Sequence, residues 1–419
     1  MRENTPQDSC AAPENPSVLR VDAARQTILD QVAALESQQL LPLRDALGRI
    51  LAEDIISPSE VPPHANSAMD GYAMAYADLT ADATTLRCIG SAFAGQPFTG
   101  HINQGECIRI MTGAILPDHC DTVVMQEQAQ SSDDNIRFQG QHQFGQNVRL
   151  AGEDIQLGQT VLSKGRRINA ADLGLLASLG IGEIRVMRKL RVAFFSTGDE
   201  LKSIGETLSP GDIYDSNRYT LFAMLEQAGV DILDMGVVKD DQKAIRSALQ
   251  SAADNADVVI TSGGVSVGDA DYIKPLLAEL GQMNFWKIAM KPGRPLTFGY
   301  LLNTPFFGLP GNPVSVMVTF YQFVLPALQK MSGATLNAAL LLPAIAAAPI
   351  RKRPGRFEFQ RGVMETTTDG QLTVRMTGEQ GSGILSSMSQ ANCFILLDED
   401  CDGITAGDLV TIQPFAGLM

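Results

Sequence analysis

Histidine, paired cysteines and long apolar runs are what this 419-residue chain has little of. Its four histidines, His64, His101, His119 and His142, lie in one segment without metal-ligand spacing, which argues against a histidine-based catalytic site. Six cysteines occur, none in a Cys-x-x-Cys pair, so neither a zinc site nor a disulfide framework is signalled and reduced thiols are expected. No run approaches the ~20 apolar residues that span a bilayer. Residues 1–17 are polar, hold Pro6, Pro13 and Pro16, and lack the basic and apolar regions of a signal peptide. They are expected to form a disordered tail, and the chain is expected to be cytoplasmic, with no membrane contact. Positive charge is also scarce: Lys+Arg 32 against Asp+Glu 47, net −15, excludes a broad nucleic-acid surface but allows a local cationic pocket.

The hydrophobic fraction of 45% suits a globular protein too long for one core. Helix signals run over 18–40, with Asp22 as a candidate N-cap and Ala24, Ile28, Val32 and Leu35 near helical spacing. Residues 57–147 change to short β-type runs punctuated by Pro and Gly. Helix signals return over 148–189, where Asn169 can cap a helix from Ala170 and Gly180 can end it. That stretch is expected to pack with the N-terminal helix as one discontinuous linking domain, 18–56 plus 148–189. From 190 to 331 strands alternate with helices, which implies a mostly parallel sheet covered on both faces. After 332 helix signals stop, and 332–419 reads as a small β domain or barrel. The fold class expected is therefore multidomain α/β plus β. It has a three-layer α/β domain, a β-rich second domain, a discontinuous mixed domain and a C-terminal barrel-like domain.

Ligands of parallel sheets bind beyond the carboxyl ends of the strands, and the informative loops fall there. Ser262-Gly263-Gly264-Val265-Ser266 follows an apolar strand. Small residues at such a junction let backbone N–H groups approach a phosphate, although a ligand-free tight turn has the same composition. Thr197-Gly198-Asp199-Glu200 offers paired carboxylates for magnesium, or an ordinary capped helix start. Lys287 and Lys291, four apart, would share one strand face. With Arg294 they suit an anion or a solvated basic edge. In Pro310-Gly311-Asn312-Pro313-Val314-Ser315, a stiff loop opens a helix at Pro313. Asp70-Gly71, Thr112-Gly113, Asp154, Arg361 and Ser387 read on their own as turn, surface or capping residues.

Taken in order, NSAMDGYA, IMTGA, GEDI, STGDEL, IYDSN, TSGGVSVGDADY, KIAMKPGRP, GLPGNPVS, FQRG and GSGILSS resemble the molybdopterin molybdenumtransferase family, which includes the E domain of gephyrin. The resemblance runs from about residue 18 to the end. It implies a four-domain protomer, a homodimer, and insertion of molybdate into adenylylated molybdopterin with Mg2+-dependent release of AMP. Handover from a molybdopterin adenylyltransferase is also implied. Matched by motif, Asp70, Thr112, Asp154, Glu200, Asp240, Lys287 and Lys291 fall at catalytic positions. Thr197, Asp215, Asn217, Ser262, Gly263, Gly264, Ser266, Arg294, Pro310, Pro313, Ser315, Arg361 and Ser387 fall at substrate-binding positions, and Glu200 and Asp271 at metal positions. The family commonly has Lys-Pro-Gly-Lys where this chain ends the motif in Arg294, so a planar fork replaces a point charge. Two rival readings are a nucleotide transferase built on the same α/β domain and a peptide-binding scaffold of the gephyrin type.

Overall fold

The computed structural model describes residues 18–79, 83–263 and 273–415. These residues form two compact units: one takes the chain up to Gln39, Gly48–Ile50 and everything from Met187, the other Leu40–Leu47 and Leu51–Val186.

In the larger unit a seven-stranded sheet runs in the order Val18–Leu19, Gly281–Ile288, Pro295–Leu301, Thr304–Leu309, Val258–Ser262, Arg191–Thr197, Asp231–Val238. The last four strands are mutually parallel, whereas Pro295–Leu301 runs antiparallel to both its neighbours. The sheet is thus mixed. The strand that sequence reading missed lies in the Pro- and Gly-broken stretch after Lys291. Side chains alternate across the sheet as a strand requires. Phe194, Ile260 and Phe307 face the helices Ser216–Ala228 and Pro313–Thr319, while Ala193, Phe195, Val259 and Phe306 face Gln242–Asn255 and Ile273–Leu280. Each fully buried phenylalanine contributes roughly 1.5–3 kcal/mol over an exposed one.

Helix ends follow local chemistry. Asp241 accepts hydrogen bonds from Lys243 N and Ala244 N, capping Gln242–Asn255, and Gly229, with φ +77°, ends Ser216–Ala228. The long apolar helix expected from Pro313 is interrupted: Pro313–Thr319 passes through one π turn, Phe320–Val324, into Leu325–Met331. Pro326 has no N–H for Gln322 O, four residues back. That oxygen instead accepts from Arg25 Nε at 3.0 Å, and Arg25 also reaches Gln322 Oε1 at 2.7 Å.

Arg25 lies on the N-terminal helix, which corrects three expectations. The helix spans Val21–Gln31 only, Arg20 rather than Asp22 is its N-cap, and Gln38–Pro42 is a strand. Ala24, Ile28 and Val32 enter the core that holds Val324, Leu328 and Met331, and Lys330 Nζ donates to Leu29 O at 2.6 Å.

From 342 onward five strands close on themselves: Phe357–Thr366, Leu372–Met376, Leu342–Ala346, Leu409–Pro414 and Cys393–Leu397, which pairs back to the first. One short helix, Leu385–Gln390, interrupts this β region where none was expected. The barrel's first strand also takes on Met290–Lys291 as a parallel partner.

The smaller unit has a six-stranded sheet, ordered Thr122–Met125, Gly71–Met74, Glu106–Ile110, Ala83–Ala92, Asn135–Gln139, Ala129–Ser132. A separate cluster joins Ala46, Leu51 and Ile55 to Leu162, Leu176 and Val186. Its helix, Ala170–Ser178, has a complete capping box between Asn169 and Asp172. Among the described residues no helix is long and apolar enough to cross a membrane.

Candidate active site

Parallel register brings three loops together. Ser196 lies opposite Ser262, and Ser262 opposite Leu309, so Thr197, Ser262-Gly263 and Pro310-Gly311 leave the sheet side by side. The fit is close at backbone level. Gly263 has φ +86°, and a Cβ there would sit 2.7 Å from Thr197 O. Asn217, in the first turn of Ser216–Ala228, ties the loops by donating from Nδ2 to Ser262 Oγ at 2.9 Å and Gly311 O at 2.7 Å. Asp215 caps that helix, its Oδ1 accepting from Arg218 N at 3.1 Å. Buried polar atoms are normally paired. Here Ser196 Oγ, Thr261 Oγ1, Asp215 Oδ2 and Asn217 Oδ1 are buried without a partner among the described residues. Gly264, Ser266 and Asp271 lie outside the described residues.

Beside these loops lie three carboxylates. Asp199 and Glu200 follow the strand Arg191–Thr197, Asp240 follows the neighbouring Asp231–Val238, and Asp240 N donates to Asp199 Oδ1 at 3.3 Å. Burial first, then the charges of Asp199 and Glu200, push the Asp240 carboxyl above the usual carboxylate range. Such crowding is relieved by a cation. Mg2+ is commonly held by one or two carboxylates plus water and substrate phosphates, and the donor set fits that mode. No group of three or more acids, histidines or cysteines poised for a metal occurs among the described residues.

The cations are arranged differently from the expectation that Lys287 and Lys291 share one strand face. The strand ends at Ile288, and Met290–Lys291 leaves to pair with the barrel. Lys287 remains exposed on the α/β sheet, whereas Lys291 Nζ lies 3.6 Å from Glu358 Oε1 of the barrel. Glu358 is buried, and its other oxygen accepts from Gln360 Nε2 at 2.9 Å. The turn that follows needs Gly293. Its φ is +96°, and a Cβ would meet Thr319 Cγ2 at 2.7 Å, with Ser315 O 3.7 Å away. The turn bearing Lys291 and Arg294 therefore lies against the helix that begins at Pro313 and holds buried Ser315.

From that helix the contacts continue to Arg361. Val314 N donates to Ser382 O at 3.1 Å, and Arg361 Nη2 donates to Gly381 O at 3.0 Å. Arg361 Nε also donates to Ser387 Oγ at 3.0 Å. Arg361 is 1% exposed, and burial pushes its pKa down to about 10. No carboxylate pairs with it among the described residues.

In the smaller unit Asp70 and Thr112 meet: Asp70 Oδ1 accepts from Thr112 N and Thr112 Oγ1, both at 2.7 Å. The backbone bond first, then the hydroxyl bond, hold the Asp70 carboxyl below the usual carboxylate range. Gly71 is required beside it, since a Cβ would collide with Val124 O. Asp154 is exposed and held through its backbone N–H to Val61 O at 3.0 Å. Its loop and the Asp70 loop share the ladder Asn66–Ser67 with Val148–Arg149.

Sequence reading missed Glu358, and it named Asp199 only as one of two paired carboxylates, without a role of its own. Asp199 stood within its motif next to Glu200. Glu358 carried no local signal, because its meeting with Lys291 requires pairing between segments nearly seventy residues apart.

Three family patterns match along the chain. They are the MoeA N-terminal region (domain I and II) over residues 19–180, a probable molybdopterin binding domain over 193–330, and the MoeA C-terminal region (domain IV) over 343–415. Such an α/β domain between two MoeA regions defines a transferase of molybdenum cofactor biosynthesis. A molybdopterin molybdenumtransferase of Haemophilus influenzae is 44% identical over 404 residues, covering 96% of this chain and 100% of that one. One from Nostoc is 35% identical, covering 92% of each chain. The crystal structure of a molybdopterin biosynthesis moeA protein from Pyrococcus horikoshii superimposes with a TM-score of 0.85 at 31% identity, covering 95% of this chain and 100% of that one. The chain belongs to the molybdopterin molybdenumtransferase (MoeA) family.

Proposed function

We propose that this chain, as a transferase that inserts molybdate in molybdenum cofactor biosynthesis, acts on adenylylated molybdopterin and releases AMP with Mg2+. The carrying observation is the close packing of the Gly293 turn on the helix that begins at Pro313, together with the hydrogen bonds from Val314 to Ser382 and from Arg361 to Gly381 and Ser387. These contacts gather the cations and hydroxyls assigned to the oxyanion on one side of the α/β domain. Molybdate is a dianion and its co-substrate carries phosphates, so their repulsion must be offset within one site. A buried guanidinium with no carboxylate partner does this without prior reorganisation.

At the carboxyl ends of the strands the loops at Thr197, Ser262 and Pro310 offer backbone N–H groups and unpaired polar atoms to the nucleotide part. Glu200 and Asp240, with Asp271, would hold Mg2+, which when bound neutralises charge on the pyrophosphate. Lys287 and Lys291 would supply positive charge to the anionic substrates. Asp70, Thr112 and Asp154 belong to the site as it is completed in a homodimer. Positioning and electrostatics supply the rate enhancement, and no protein nucleophile takes part.

The test is incubation of purified protein with adenylylated molybdopterin, Mg2+ and molybdate while AMP is followed. AMP release stimulated by molybdate supports the reading. ATP-dependent adenylylation of molybdopterin without that stimulation would replace it with the adenylyltransferase reading.

A further inference from the structure

A second cationic feature is left unused by the site above. A cavity of about 930 Å3 opens on the barrel, and Lys291 lines it together with Arg351, Arg353 and Arg356. The three arginines are exposed and pair with no carboxylate among the described residues. Lys352, also in the wall, is committed to the frame: its buried ammonium donates to Glu399 O at 3.2 Å and Cys401 O at 3.1 Å. Glu358 is engaged by Lys291 and Gln360, which leaves Asp402 as the one other acid of the lining.

An exposed run of arginines is ordinarily a solvated turn. Three observations set this one apart. It lines a concavity of small-molecule size. It stands in a chain of net charge −15, whose overall field repels a dianion. It also shares Lys291 with the oxyanion residues. At physiological ionic strength charges are screened beyond about 8 Å, so only a local cluster can draw an anion to such a surface. Guanidinium forks suit tetrahedral oxyanions better than ammonium does.

We propose that this cavity is an outer site for a doubly charged tetrahedral oxyanion, adjoining the inner Arg361 site through Lys291. The identity of the ligand rests on the proposed function, and the place rests on the cavity. Two sources share this chemistry: free molybdate on its way in, and the phosphate monoester left on the pterin after AMP departs.

The experiment titrates the full chain with molybdate alone and with inorganic phosphate alone, by calorimetry at low salt. The Arg361→Met background removes the inner site. Adding Arg351→Gln, Arg353→Gln and Arg356→Gln is expected to weaken the remaining binding about tenfold or more, as loss of charge-assisted hydrogen bonds requires. An effect in the molybdate arm assigns the site to incoming substrate, and an effect confined to the phosphate arm assigns it to the phosphate ester. Unchanged binding in both arms overturns the proposal. A second measurement uses the unaltered protein. Phenylglyoxal modification of Arg351, Arg353 and Arg356, read by peptide mass, is expected to be slowed by the oxyanion; equal modification with and without it also overturns the proposal. Molybdate-stimulated AMP release without protection would sink this inference alone. Protection without AMP release would sink only the functional reading.

Discussion

Arg361→Met tests whether the buried guanidinium exists for an anion or for the fold. The side chain is 1% exposed and has no carboxylate partner among the described residues. Burial takes its pKa from the ordinary guanidinium value down to about 10. That drop corresponds to about 3 kcal/mol of penalty on the charged form, to within about 1.4 kcal/mol. The folded value is lowered, so the unfolded chain binds more protons from about pH 10 up to the ordinary guanidinium value. The penalty is therefore fully present at neutral pH and is relieved only as pH rises through that window. Against it stand two hydrogen bonds, to Ser387 Oγ and Gly381 O. Losing them costs ~1.5–3 kcal/mol each, as bonds from a charged donor, although Ser387 Oγ still donates to Ile384 O at 2.6 Å and Gly381 O still accepts from Ile384 N at 3.3 Å. Methionine keeps most of the volume, so no large cavity term enters. The two effects nearly cancel, and the ligand-free variant should denature in urea within about 1–2 kcal/mol of the parent. Molybdate should raise the melting temperature of the parent by clearly more than that of the variant, and molybdate-stimulated AMP release should fall at least about a hundredfold, as for loss of a preorganised donor. A loss of stability above ~4 kcal/mol would refute the reasoning, because the cation would then be a structural keystone. A molybdate response as large as the parent's would refute it equally.

Three further outcomes are expected. Asp199→Asn should lower the Asp240 pKa toward the ordinary carboxylate value, seen by NMR titration, since the Asp199 charge raises it second only to burial. Because a raised carboxyl pKa favours the fold only while protonated, the variant should also lose less stability than the parent as pH rises through the Asp240 pKa; Mg2+ affinity, followed by calorimetry, should fall. Gly263→Ala should cost about 2 kcal/mol or more, read from urea denaturation, because it adds left-handed backbone strain to a 2.7 Å contact with Thr197 O. Asn169→Ala should cost about 1 kcal/mol by removing the cap of Ala170–Ser178, with AMP release unchanged.

Much of the α/β unit was legible because its signals are local. Asp241 and Gly229 mark helix ends through bonds and backbone angles within four residues, and the helix Ser216–Ala228 is followed by the strand Asp231–Val238, as the alternation over 190–331 requires. The N-terminal helix was overextended because Val32 and Leu35 continue the apolar spacing after the backbone has become extended at Val32. They are buried by the Leu325–Met331 helix, not by helical continuation. Pro295–Leu301 was missed because the prolines at 292 and 295 mask a run that is stabilised only by its two antiparallel neighbours.

At the site, the sequence by itself determined which chemical groups are present: the acids after the first strands, the glycines that a tight loop demands, the lysines and arginines of the Lys-Pro-Gly-Arg turn. Their partners were decided by tertiary structure. Lys291 meets Glu358, Val314 meets Ser382 and Arg361 meets Gly381 and Ser387 only because the barrel closes and one short strand leaves the α/β sheet to join it. Residue type fixes what a side chain can donate, accept or ionise. Burial and neighbours, which depend on segments far apart in the chain, fix whether that capacity is used up within the fold or left open for a ligand.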